Sequence, residues 1–141
     1  MFEPLFKIDN KKYIIYTDGG ARGNPGPAAI GAVVNGKRFG EYIGETTNNV
    51  AEYSAVIFAL KKASELLGKE AKQTEVEVRS DSELLVKQMN HIYRVKEDTL
   101  KVLYVDVLNA VLDFKRVTFV HIPRTQNKEA DAMVNEALDA E

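Results

Sequence analysis

Short hydrophobic runs separated by turn residues occupy the first third of the chain. Tyr13–Thr17 is a β-branched and aromatic run, and a Gly- and Pro-rich loop lies at 23–27. A second run, Ala28–Val34, is joined to a third, Lys37–Ile43, by Asn35-Gly36, a pair typical of two-residue hairpin turns. The pattern predicts three strands in an antiparallel meander.

Helical periodicity takes over at Val50 and continues to Leu67, where Gly68 is a stop signal. The residues expected along one side of this helix are Val50, Tyr53, Ile57, Leu60, Ser64 and Leu67. Val76 and Val78 alternate with charged residues, which predicts a strand over Thr74–Ser80 with one solvated face. The remaining predicted elements are helices at Ser82–Met89, Asp98–Asp113 and Asn127–Leu138 and a strand at Val117–Ile122.

This order of elements predicts an α/β fold built on one mixed sheet. Three antiparallel strands come first, and two parallel strands follow, with helices on both faces. The first helix should form a right-handed crossover that places strand one beside strand four. Ligands of such sheets bind beyond the carboxyl ends of the strands, which is where Asp18 and Asp81 are expected. We expect residues 1–141 to form a single domain.

Composition narrows the functional classes. The chain has no cysteine, which excludes disulfides and thiolate–zinc sites and fits a reducing, cytoplasmic location. No long apolar run predicts a membrane span, and Met1 to Lys12 do not have the pattern of a signal peptide. The net charge of -2 argues against a nucleic-acid partner, unless clustered acids bind cations that reverse the local sign.

Two acids stand out in the first half of the chain. Asp18 directly follows the first predicted strand, and its alternative role is that of a turn residue. Glu52 is spaced from Asn49 like the acid of a helix capping box, which is its alternative role. Glu52 also heads an apolar row at helical spacing, formed by Val56, Ala59 and Ala63, so we expect it to point at the sheet.

Two further acids lie in the second half. Asp81 follows a predicted strand and could instead cap the short helix after it. Asp131 lies in the first turns of the last helix, where acids are common. It is in line with Val134 and Leu138, which predicts that it faces the buried side.

Together the four acids predict a metal centre. Two strand ends and two helix starts converge on one edge of the sheet, and four clustered carboxylates would repel one another unless cations were bound. Carboxylate oxygens without paired histidines or thiolates suit Mg²⁺, with Mn²⁺ as a substitute. Two such ions, roughly 3.5–4 Å apart, can activate a water and stabilise the leaving oxygen of a phosphodiester.

Four sequence blocks resemble the type 1 ribonuclease H family, and they occur in the family's order. The blocks are Tyr16–Pro27, Thr46–Glu52, Arg79–Ser82 and Arg124–Asp131. The resemblance implies a ribonuclease H-like fold and an endonuclease that cuts the RNA strand of RNA–DNA hybrids, leaving 3′-hydroxyl and 5′-phosphate ends. We expect the protein to act as a monomer on this substrate.

The resemblance assigns roles to individual residues. Asp18 would bridge two metal ions, Glu52 and Asp81 would complete the site of one, and Asp131 would help to hold the water-activating ion. The positions that match nucleic-acid contacts are Gly19, Gly20, Asn24, Thr47, Asn48, Asn49 and Ser82. Uncharged amides and hydroxyls there can bond sugars, base edges or phosphates. Asn24 could equally form a turn, and Asn49 could cap the helix.

The chain departs from the best-known bacterial members of the family in its last loop. Those members carry a histidine between the fifth strand and the last helix, whereas 123–128 contains none. Arg124 is the nearest substitute, and it either assists the leaving group or product, or pairs with phosphate. We expect His121 to be structural and His91 to lie on the surface.

A second departure concerns substrate binding. The basic helical insertion of some relatives is missing, and only a thin basic stretch remains, which predicts salt-sensitive binding. Its members are Lys87, Arg94, Lys96 and Lys101. Glu83 stands where the family often has glutamine. The pattern is similar to minimal archaeal and bacterial forms, some of which also cut double-stranded RNA, so that duplex is a second expected substrate.

Two other functional classes compete with a nuclease. The glycines between Gly19 and Gly26 suggest a nucleotide-binding loop, but such a loop opens into a helix, and this one leads to the strand Ala28–Val34. A catalytically silent binding protein on the same fold would be expected to have lost at least one of the four acids. All four are present, so the sequence favours an enzyme.

Overall fold

A computed structural model describes residues 12–141 of the chain. The strands of this part are β1 (Tyr13–Ala21), β2 (Gly26–Val34), β3 (Lys37–Thr46), β4 (Glu75–Ser80) and β5 (Arg116–His121). Its α-helices are α1 (Asn48–Leu67), α2 (Glu83–Met89), α3 (Asp98–Val111) and α4 (Lys128–Asp139). Short 3-10 turns follow α1 at Gly68–Gln73 and precede α4 at Arg124–Gln126. The segment 1–11, to which the prediction about a signal peptide applies, lies outside the described residues.

The five strands form one sheet in the order β3-β2-β1-β4-β5. β1 is antiparallel to β2 and parallel to β4, and β4 is parallel to β5, which confirms the predicted mixed sheet and crossover. β1 is longer than predicted and continues to Ala21, so Asp18 lies inside the strand. None of the helices in the described part is long and apolar enough to cross a membrane.

One face of the sheet carries the main core, against which α1 packs. The predicted side of α1 is only partly right, because Val50 and Ile57 are half-buried. The buried residues of α1 are Ala51, Tyr53, Ala55, Val56, Ala59, Leu60 and Ala63. The row of alanines brings the helix backbone close to β1. α3 packs against α1, and its Leu100 and Val107 are buried in the same core. This close approach determines where the end of α1 meets the sheet.

The opposite face is covered by α4, so helices lie on both faces as predicted. Val134 and Leu138 of α4 pack against Ala29 of β2. The helix lies so close to the sheet that a Cβ atom at Gly31 would be 2.2 Å from the carbonyl oxygen of Ala130. A glycine is required there by the close approach of two backbones.

We predict that Gly31→Ala destabilises the protein by about 1–3 kcal/mol, because the new methyl group overlaps backbone that cannot move without displacing α4. Gly20→Ala is the matched control: it lies on the same face, and its Cβ would meet only a methyl group of Val134 at 3.8 Å. That variant should be neutral or more stable by up to about 1 kcal/mol. Urea unfolding measures both, and equal unfolding free energies would contradict the close packing of α4.

Candidate metal centre

Three carboxylates meet at the edge of the sheet. Asp18 of β1, Glu52 of α1 and Asp81, which follows β4, each offer an oxygen atom, and these oxygens lie within 4.8 Å of one another. Asp18 is only 8% exposed, and the other two are half-buried. The arrangement is a group of hard oxygen donors that could hold a divalent metal ion.

A single backbone amide holds two of these carboxylates. The N–H of Gly19 donates to Oδ1 of Asp18 at 3.0 Å and to Oε1 of Glu52 at 3.1 Å. The approach depends on glycine, since a Cβ at this position would be 2.3 Å from the carbonyl carbon of Ala51. Glu52 therefore points at the sheet, as its apolar row predicts.

The alternative role of Glu52 in a capping box is wrong. The N-cap of α1 is Thr47, whose hydroxyl accepts a hydrogen bond from the N–H of Val50 at 3.2 Å. Asn49 is already inside the helix, so it does not cap it. The carboxylate of Glu52 is left free of any capping function.

Asp81 does not cap α2 either. Ser82 is the N-cap, and its hydroxyl accepts from the N–H of Leu85 at 3.2 Å. The Oδ2 atom of Asp81 instead accepts a hydrogen bond from Nδ2 of Asn127 at 2.9 Å. Asn127 lies directly before α4 and also donates to the carbonyl oxygen of Thr17 at 2.9 Å.

Asp131 lines an open cavity together with Asp18, Glu52 and Asp81, but it is exposed, so its predicted place on the buried side of α4 is wrong. The reason is that the buried side of α4 is formed by Ala130, Val134 and Leu138, and Asp131 lies beside this row and faces the cavity. It does not belong to the described group of oxygens within 4.8 Å. It is nevertheless close enough to Asp18 to raise the pKa of Asp18, both through its charge and through a side-chain hydrogen bond.

Burial and repulsion by neighbouring charges disfavour the ionised forms of Asp18 and Glu52. The pKa of Asp18 is raised from 3.8 to about 8, first by burial and then by the charges of Asp81 and Asp131. The pKa of Glu52 is raised well above its ordinary value, again by burial first and then by Asp18 and Asp81. The Gly19 amide lowers both pKa values, and the charge of Arg124 lowers that of Glu52. A bound divalent cation would relieve this repulsion.

The cavity around these acids has a volume of about 680 Å³. Six further residues predicted from the sequence line it, namely Gly19, Gly20, Asn48, Asn49, Ser82 and Arg124. Asn24 and Thr47 are not among its lining residues. Asn24 instead accepts from the N–H of Asn48 at 2.9 Å, and Oδ1 of Asn48 accepts from the N–H of Ala21 at 2.8 Å. These bonds tie the loop after β1 to the start of α1.

Three other residues near the site were not predicted from the sequence. Besides Asn127, these are Arg22 and Asn135, which line the cavity and bond to each other at 3.3 Å. Asn135 also donates to the carbonyl oxygen of Asp131 at 3.2 Å. The one available signal for Asn135 was its spacing of four residues from Asp131. His121, at the end of β5, and His91 are both exposed.

Known proteins share the fold and much of the sequence of this chain. A family model described as Reverse transcriptase-like matches residues 16–137. The crystal structure of LC11-RNase H1 in complex with RNA/DNA hybrid is 51% identical, with a TM-score of 0.86, over 92% of this chain and 98% of that one. This chain belongs to the ribonuclease H family. That membership confirms the resemblance and the predicted fold.

One further solved structure is matched over its whole length, whereas two curated relatives are matched over only part of theirs. The crystal structure of RNase H1 from Halobacterium salinarum is 37% identical, with a TM-score of 0.84, over 93% of this chain and 100% of that one. The curated ribonuclease HI of the same organism is 40% identical over 88% of this chain but 63% of its own length. A bifunctional protein of Mycobacterium tuberculosis is 40% identical over 92% of this chain, which spans 36% of that relative.

The raised pKa of Asp18 predicts how stability depends on pH when chelator removes metal. The folded protein holds this proton more tightly than the unfolded chain, so the free energy of unfolding should fall as the pH rises from about 4 to about 8. Asp18→Asn removes the ionisation, and at about pH 8 it should raise stability by about 1 kcal/mol, or roughly 2–5 °C in Tm. The gain should be smaller at about pH 5.

Thermal unfolding in EDTA at the two pH values measures the effect. Asp106→Asn, which removes an exposed acid of α3 that does not line the cavity, is the matched control and should show no such gain. An Asp18→Asn variant that melts below the parent protein at the higher pH would contradict the repulsion between the acids.

Proposed function

We propose that this chain is an endoribonuclease that hydrolyses the RNA strand of an RNA–DNA hybrid and leaves 3′-hydroxyl and 5′-phosphate ends. The observation that carries the proposal is the meeting of Asp18, Glu52 and Asp81 within 4.8 Å at the wall of an open cavity. The relative LC11-RNase H1 binds an RNA/DNA hybrid, which supports the choice of substrate. We further infer one catalytic domain that acts as a monomer in the cytoplasm.

The donor set fits divalent ions of the Mg²⁺ and Mn²⁺ type. Asp18, Glu52 and Asp81 would hold one ion, and Asp131, on the same wall, would help Asp18 to hold a second. The histidines of the chain are not among the lining residues of this cavity, so the described ligands are all oxygens. The raised pKa values of Asp18 and Glu52 support cation binding, because a cation favours their ionised forms.

Bound ions would supply Lewis-acid activation of a water and stabilisation of the leaving oxygen of the phosphodiester. The chain contributes orientation: the Gly19 amide fixes the carboxylates of Asp18 and Glu52, so that they are preorganised before substrate arrives. Arg124 adds a positive charge that the phosphate of the substrate can meet. A guanidinium does not lose its proton at ordinary pH, which supports phosphate pairing rather than proton donation.

Polar groups on the cavity wall suit a ribonucleotide strand. Asn48, Asn49 and Ser82 present amides and a hydroxyl beside the acids without adding charge. Such groups can bond 2′-hydroxyls, which distinguish RNA from DNA. The same chemistry is available on double-stranded RNA, so cleavage of that duplex is a second prediction about the same site.

Asp18→Asn and Asp81→Asn should each lower the cleavage rate by at least about 1,000-fold while the fold stays intact. The reason is that each removes a charged metal ligand, and stabilisation by such ions amounts to several kcal/mol at tenfold per 1.36 kcal/mol. The measurement uses hybrid, RNA duplex and DNA duplex of one sequence, with Mg²⁺, with Mn²⁺ and with EDTA. Glu129→Gln, an exposed acid of α4 outside the cavity lining, is the matched control and should keep its activity.

Turnover that survives in either aspartate variant, or in EDTA, would refute the proposed site. If the parent protein cleaves none of the duplexes in either metal, the enzyme is excluded and a silent binding protein remains. Stabilisation against heat by ATP but not by hybrid would instead support the nucleotide-binding alternative.

Arg124→Ala should lower kcat/KM by about 10–100-fold, the equivalent of one lost charged hydrogen bond to phosphate. Arg124→Lys should recover part of the loss, because a lysine keeps the charge but not the two-pronged geometry. Most of the change is expected in KM, and the salt dependence of binding should weaken. A loss confined to kcat, with an altered pH–rate profile and no recovery by lysine, would favour a role at the leaving group.

A further inference from the structure

Asn127 is a buried amide that connects two elements of the site. It is 1% exposed and lies between β5 and α4, directly after the 3-10 turn at Arg124–Gln126. Its Nδ2 atom donates one hydrogen bond to Oδ2 of Asp81 and another to the main-chain oxygen of Thr17, each at 2.9 Å. Both hydrogens of the amide group are therefore used within the site.

These bonds determine the orientation of the amide. A carboxylate oxygen and a main-chain carbonyl are both acceptors, so only the NH₂ group of Asn127 can face them. The reversed amide would place an oxygen against two oxygens. In the bond to Asp81, Oδ2 is the acceptor, and the bond restricts the rotation of this carboxylate.

Asn127 also contacts the elements that carry two other acids. Thr17 directly precedes Asp18 in β1, and the main-chain oxygen of Asn127 accepts from the N–H of Asp131 at 3.1 Å. One residue thus links β1, the end of β4 and the start of α4. Its hydrogen bonds therefore reach the elements that carry three of the four acids.

We propose that Asn127 is a positioning residue that orients the Asp81 carboxylate for metal binding and keeps it in register with Asp18 and Asp131. The inference rests on the proposed function in so far as the site binds divalent ions. Asn127 itself acts through Asp81 and is not among the residues that line the cavity. Hydrogen-bond partners of metal ligands typically change metal affinity or activity by about 10–100-fold when they are mutated.

Asn127→Asp tests the role with almost no change of shape, because the two side chains are nearly isosteric. The substitution replaces the NH₂ donor by an acceptor oxygen beside Asp81. The Mn²⁺ dissociation constant, measured by calorimetry and by electron paramagnetic resonance, should rise by about 10–100-fold. Cleavage of hybrid at fixed Mg²⁺ should show a lower kcat with little change in KM for the duplex. Asn127→Ala, which adds no charge, should shift the Mn²⁺ affinity in the same direction.

Asn90→Asp is the matched control. Nδ2 of Asn90 likewise donates to a main-chain oxygen, that of Phe119 at 3.1 Å, but the residue is not part of the cavity wall. Its Mn²⁺ affinity and kcat should equal those of the parent protein. Circular dichroism and Tm establish that each variant is folded at the temperature of the binding measurement.

A second measurement needs no variant. The side-chain amide protons of Asn127 in the parent protein should shift in nuclear magnetic resonance spectra on addition of Mg²⁺, and those of Asn90 should not. Unchanged Mn²⁺ affinity in folded Asn127→Asp and Asn127→Ala, or an unshifted Asn127 amide, would overturn the inference and leave the nuclease standing. Altered Mn²⁺ affinity in a protein that cleaves no duplex would do the reverse.

Discussion

The close contact between β1 and α1 at Gly19 is the constraint on which the site depends. Without a side chain at this position, the backbone of α1 reaches the strand at Ala51, and the next residue is Glu52. The Gly19 amide then lies between the carboxylates of Asp18 and Glu52 and donates to both. The two acids are brought together by backbone geometry, even though their charges repel. The strand and the helix hold the two backbones in place, and the shared bond to the Gly19 amide holds the two carboxylates close to each other.

This arrangement is unfavourable for the metal-free protein, and the rest of the fold must offset it. Burial and neighbouring charge raise the pKa values of Asp18 and Glu52, so these two carboxylic acids bind their protons more tightly than exposed acids do. The stabilising contribution comes from the other end of the same elements, where α1 buries an apolar row on the sheet. The strand that carries Asp18 also carries Ile15, which is fully buried in the core. Functional groups and core thus share the same rigid elements, which keeps the acids in place.

The fold could be predicted almost completely, whereas the details of the site could only partly be predicted. Alternation and periodicity indicated all nine described helices and strands, and the parallel neighbour of β1 followed from the handedness of crossovers. The alternative capping roles could not be ruled out from the sequence, because Thr47, Asn48 and Asn49 all suit the N-cap of α1, and the structure uses Thr47. The exposure of Asp131 was missed because the apolar spacing also fits a buried side that includes it, whereas the structure buries Ala130, Val134 and Leu138. Asn127 was quoted only as part of a family block, because no local pattern distinguishes a buried asparagine from an ordinary helix cap.

The acidic net charge is consistent with the proposed function if divalent ions, and not the thin basic stretch, supply most of the attraction for phosphate. Lys87 is paired with Glu83 at 2.8 Å, and Lys101 with Asp98 at 3.3 Å, so half of the thin basic stretch is already neutralised. Arg94 and Lys96 line a groove that shares Asn49 and Leu84 with the acidic cavity. Two such cations supply little attraction for a duplex at physiological salt. Phosphate binding would then depend largely on divalent ions held by the acids, since these reverse the sign of the potential in the cavity. The same carboxylates that repel nucleic acid in the metal-free protein would therefore be its main attachment point in the loaded one.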